Sequence, residues 1–76
     1  MRIEARERPV IGYLEHIPDS YDQFLQRRIA AEFYALIQEG QNPAQVIGVF
    51  QFREEAQIAL EDWFRKRNLT FRRGGP

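Results

Sequence analysis

Between Tyr21 and Ile37 the apolar positions recur at helical spacing. Tyr21, Phe24, Leu25, Ile29, Phe33, Leu36 and Ile37 form a stripe, widened by Ala30, Ala31, Tyr34 and Ala35. Ser20 followed by Gln23 matches a capping box, and Asp19 and Asp22 suit the positive end of a helix dipole. Gly40 suits a left-handed stop. The pattern predicts a helix over about 20–39. Its second half, Ile29 to Ile37, is apolar around most of its circumference, wider than the stripe of a little over 100° that one core requires. Such a helix is either packed on two sides within the chain or meets another subunit.

A second helix is predicted over about 52–67. Phe52, Ala56, Ala59, Leu60, Trp63 and Phe64 share one face, acids open the segment, and Arg65, Lys66 and Arg67 close it. Asn68 suits its C-cap. Between the helices, Asn42-Pro43 reads as a helix start, whereas Val46-Ile47-Gly48-Val49-Phe50 has the composition of a strand. The start signal favours a short helix over 43–49. Val10-Ile11-Gly12-Tyr13-Leu14 and Leu69-Thr70-Phe71 read as short strands. Residues 1–8 read as a charged lead-in, 9–72 as one domain, and 73–76 as a disordered tail. The expected fold is a helix-dominated α+β domain with short terminal strands; the alternative takes 45–50 as a strand, giving a small β-α-β-α-β domain.

Composition adds a problem of stability. Seventy-six residues bury a modest core, and domains of this size often need a disulfide, a metal or self-association. The chain has no cysteine and one histidine, His16, which excludes a disulfide and leaves too few ligands for a usual structural zinc. Self-association remains, and ten aromatic residues supply both cores and interfaces. The absence of cysteine fits a reducing compartment. No apolar run approaches the roughly 20 residues of a membrane span. A soluble, cytoplasmic protein without a membrane partner is the expectation.

Reactive side chains are scarce. Ser20, Thr70, His16 and Lys66 are each the sole example of their type. Ser20 is accounted for as a cap, and Lys66 sits in a like-charged run. The carboxylate doublets Glu54-Glu55 and Glu61-Asp62 point about 100° apart on a helix, so neither converges on a ligand. Isolated glycines make no phosphate loop. The sequence therefore predicts no catalytic residue, no metal, no cofactor and no small-molecule substrate: the chain is not expected to be an enzyme.

Two binding classes remain. The first is a small non-catalytic protein–protein interaction module, acting as a homo-oligomer or as an accessory or regulatory subunit on a larger protein. Its candidate anchors are Ile29, Phe33, Tyr34, Ile37, Phe50, Phe52, Trp63 and Phe64. The second is nucleic-acid binding by Arg65, Lys66, Arg67, Arg72 and Arg73, with Phe71 stacking on an unpaired base. Formal net charge is zero, so any such field is local. A helix-turn-helix over 42–60 is excluded, because its recognition helix would expose Glu54, Glu55, Glu61 and Asp62 to phosphate.

Overall fold

Residues 10–39 fold as one long β-hairpin. In the computed structural model, which describes residues 1–74 apart from the side chain of Ile29, β2 (Val10–Ile17) pairs antiparallel with β5 (Glu32–Glu39) along eight positions, from Val10–Glu39 to Ile17–Glu32. The hairpin continues outward as β3 (Ser20–Asp22) and β4 (Arg27–Ile29). Ile17 pairs with Glu32 and Ser20 with Ile29 across a break of two unpaired residues on each side, Pro18-Asp19 and Ala30-Ala31, so the pairing offset is unchanged.

Three further strands complete a five-stranded antiparallel sheet in the order β6-β5-β2-β1-β7, formed by β1 (Arg2–Ala5), β6 (Gln45–Phe50) and β7 (Phe71–Gly74). A bulge at Ala35–Leu36 admits Ile47 as an extra residue on β6. The connection from β6 to β7 is the helix α1 (Arg53–Lys66), which crosses one face of the sheet and packs on β5, β6 and β2.

The helix-dominated α+β expectation is overturned: the fold is mostly β, with one helix. Residues 20–39 are strand, turn, strand and strand, and 43–49 belongs to a loop and β6. The β-α-β-α-β alternative fails for the same first segment, although 45–50 is a strand. The physical reason lies in residues 33–37. An apolar run on every position fits a helix buried all round, but it equally fits a strand with two apolar faces. Here Ala35 and Ile37 point toward α1 while Tyr34 and Leu36 point away. Pairing with β2, remote in sequence, decides between the two. The apparent cap serves a turn instead. Asp22 Oδ1 accepts hydrogen bonds from the amides of Phe24 (2.9 Å) and Leu25 (3.1 Å), and Gln26 closes the turn at φ +51°. Gly40, at φ +57°, turns β5 toward β6, and its amide donates to the carbonyl of Pro9.

α1 begins without a side-chain cap but carries Glu54 and Glu55 in its first turn and Arg65 and Lys66 in its last. It ends in a Schellman motif: Asn68 is left-handed at φ +57°, its amide donates to the Arg65 carbonyl, and the Leu69 amide donates to that of Phe64. Leu69 and Phe64 are both buried, which supplies the apolar contact of the motif.

The core lies between α1 and the sheet. Ala56, Leu60 and Phe64 meet Ile3, Val10, Ala35, Ile37 and Leu69. Gly12 is where the helix comes closest. A methyl there would lie 3.0 Å from the Phe64 ring and 3.2 Å from both Ile3 and Leu60. Residues 1–8, expected as a lead-in, include β1, which lies inside the sheet between β2 and β7. β7 pairs with β1, from Ala5–Phe71 to Arg2–Gly74. Residues 75 and 76 of the expected tail lie outside the described residues.

Candidate interaction surface

The face of the sheet opposite α1 is covered by no element among the described residues. Strand alternation places Ile11, Tyr13, Glu15 and Ile17 of β2 there, with Glu32, Tyr34, Leu36 and Gln38 of β5 alongside. Val46 and Val49 of β6 flank them opposite Leu36 and Tyr34. The outcome is an apolar band about three strands wide. Leu36 at its centre is only 7% exposed, Tyr13 and Tyr34 are half-buried, and Val46 and Val49 are 47% and 52% exposed. The band stops at the β1–β7 side, where Glu4 holds Arg2 at 2.9 Å and Arg72 at 3.6 Å.

Beyond the band, past Glu15 and Glu32, lies the projecting arm. Because the pairing offset is unchanged, Tyr21 and Arg28 continue the open face beyond Ile17 and Glu32. Asp19 Oδ1 accepts a hydrogen bond from the Ala31 amide across the base of the arm. At the tip Phe24 is fully exposed and Leu25 and Tyr21 nearly two-thirds so. The Asp22 turn fixes the backbone beneath them, so the apolar tip is displayed on an ordered scaffold. The molecule is 47 Å long and 24 Å across in both other directions.

The expected anchors divide among several environments. Ile37 and Phe64 are buried in the core. Phe33 and Phe50 lie on the helix side, half-buried; Phe33 stacks on His16 with ring centroids 4.7 Å apart and has the Arg53 guanidinium over its ring. Trp63 is half-buried under Arg67, whose guanidinium lies 3.8 Å from the ring centroid. Phe52 is exposed beside the start of α1. Ile29 falls within β4, and its side chain lies outside the described residues. Tyr34 alone belongs to the open face. Tyr13, Tyr21, Phe24, Leu25, Val46 and Val49 were missed as surface anchors. Period-two alternation in Ile11, Tyr13, Ile17 and in Tyr34, Leu36 is the signal that finds most of them.

The C-terminal cations are engaged within the chain. Lys66 pairs with Asp62 (3.0 Å), Arg72 with Glu4, and Arg73 with Glu61 (3.3 Å), while Arg65 and Arg67 sit over the Phe71 and Trp63 rings. Phe71 packs edge-on against Phe64, which leaves it poorly placed to stack on a base.

Comparison with family models, with curated proteins and with solved structures returns no match in any of the three.

Among the described residues the reactive side chains lie apart or are engaged. His16 and Ser20 point to the same side of the hairpin, four positions and about 13 Å of strand rise apart. Thr70 is occupied: its hydroxyl and amide both donate to the Glu7 carboxylate. That side-chain hydrogen bond holds the Glu7 carboxyl below its ordinary pKa. Among the described residues no three His, Asp or Glu side chains gather as a metal site, and no helix is long and apolar enough to cross a membrane.

Proposed function

We propose that the chain is a small, non-catalytic, cytoplasmic protein–protein interaction module that docks through the open face of its sheet. One observation carries this reading: the apolar band from Ile11, Tyr13 and Tyr34 to Val46 and Val49 is rimmed by charge, and beyond Glu15 and Glu32 an arm displays exposed Phe24 and Leu25. Antiparallel sheets commonly solvate one face with polar residues. A face that keeps Tyr, Leu and Val in a contiguous patch is the signature of a contact surface. Aromatic and aliphatic anchors with a polar rim are the usual anatomy of such contacts.

Its support differs from what the sequence suggested. The apolar breadth of 29–37 belongs to a two-faced strand, and Ala35, Leu36 and Ile37 are hidden within the chain. The docking reading now stands on Tyr13, Tyr34, Val46, Val49 and the arm. The alternative of nucleic-acid binding gains nothing from basic groups already paired or stacked internally.

Photo-crosslinking in the native host tests the reading. A photoreactive residue at Val49 or Val46 is expected to capture protein, whether a second copy or another polypeptide, while one at Glu55 on the outer side of α1 captures little. Equal yields from the two faces overturn it.

A further inference from the structure

We infer that the partner on this face is a second copy of the chain, packed face to face about a two-fold axis with each arm lying across the other's sheet. This rests on the docking reading above and adds the occupant, the symmetry and the alignment.

Area argues first. The accessible surface is 5788 Å², against about 4,900 Å² for an ordinary compact monomer of this mass. The radius of gyration is 14.3 Å, against about 11 Å for a compact chain of this length. If two copies each hid that excess of roughly 900 Å², the contact would total about 1,800 Å², within the range of stable specific interfaces.

Charge and alternation then fix the alignment. A two-fold axis in the plane of the interface, running across the ribbon, sets each strand antiparallel to its counterpart. Centred on the Ile17–Glu32 pair, it would set Glu32 against its own copy. Centred one step outward, between Ile17–Glu32 and Asp19–Ala30, it sets the Tyr21–Arg28 pair of one copy over the Glu15–Tyr34 pair of the other. Arg28 then lies over Tyr34 and diagonal to Glu15, and Tyr21 lies over Glu15 and diagonal to Tyr34. The same displacement, roughly 20 Å of strand, carries Phe24 and Leu25 over Ile11, Tyr13 and Leu36 of the other copy. Arg28 with Glu15 and the apolar groups find complements, twice, by symmetry, whereas Asp19 and Glu32 approach at the centre as like charges.

Sedimentation of the purified full chain tests this at micromolar to millimolar concentrations. Wild type is expected to dimerise. Glu15→Arg and Arg28→Glu, both at exposed positions, should each weaken the dimer about tenfold or more while leaving the dilute chain folded by circular dichroism. Combining the two should restore it, because each copy then offers the reversed pair. A wild type that stays monomeric at millimolar concentration overturns the inference, as does a double variant no better than the singles. In the monomeric case, crosslinks from Val49 to a different polypeptide would leave the docking reading standing, and their absence would remove both.

Discussion

The two faces of the sheet are built from the same strands and treated oppositely. On one face Ile3, Ala35 and Ile37 lie under Leu60 and Phe64, and a glycine at position 12 lets the helix settle onto β2. On the other, Tyr13, Tyr34, Leu36, Val46 and Val49 form an equally apolar layer that no described element covers. β5 supplies both layers from alternate positions. The difference teaches that apolar character in this chain has two purposes, folding on the helix side and contact on the open side. The two should separate in experiment.

Phe64→Ala should break the comparison most sharply. It removes the largest fully buried side chain and should cost about 3–5 kcal/mol. A domain of this size holds on the order of 4–11 kcal/mol, so thermal or urea unfolding should show a severely weakened or unfolded chain.

Gly12→Val comes next. Its side chain would press on Phe64, Ile3 and Leu60 at distances already at or below ordinary contact, costing about 1–3 kcal/mol by overpacking. A midpoint unchanged in urea would show that the helix sits less tightly on β2 than described.

Substituting Val46 and Val49 by threonine keeps β-branched shape on the open face. At high dilution stability should move by less than about 0.5 kcal/mol per site. The rise of Tm with protein concentration expected of a self-associating chain should nevertheless shrink. A large loss at high dilution would make this face part of the monomer's own core.

The smallest effect concerns pH. The Glu7 carboxyl is held below its ordinary pKa chiefly by the Thr70 hydroxyl. In acid the unfolded chain takes up this proton first, so the contribution is present above the ordinary carboxylate pKa and is lost as pH falls through the lowered value. Glu7→Gln should flatten the acid limb of a Tm-against-pH curve slightly. Glu7 is exposed, and a large change would point to another group.

How much of this was legible follows from which interactions are local. α1 was readable because Ala56, Leu60 and Phe64 repeat at helical spacing, charges match the dipole at both ends, and Asn68 closes the last turn. The strands at 10–17 and 71–74 were legible only in part, through Val10–Leu14 and Phe71, while Arg73 and Gly74 read as tail. Residues 20–39 misled because each local clue had a second use. Asp22 organises a turn as well as a helix start, Gly40 turns a hairpin as well as ending a helix, and Phe33 to Ile37 satisfy both periods. Only eight cross-strand pairs with β2 resolve them, and one segment read alone does not reveal them. The open face was largely unread for the same reason: its residues become neighbours only once β2, β5 and β6 are aligned.

The sole tryptophan, Trp63, sits on the helix under Arg67, whereas all three tyrosines, Tyr13, Tyr21 and Tyr34, belong to the open side. The molecule thus carries intrinsic optical labels sorted by location. Indole emission should follow unfolding and stay nearly silent when the open side is occupied. Phenol ultraviolet absorbance should respond to occupancy before any melting begins.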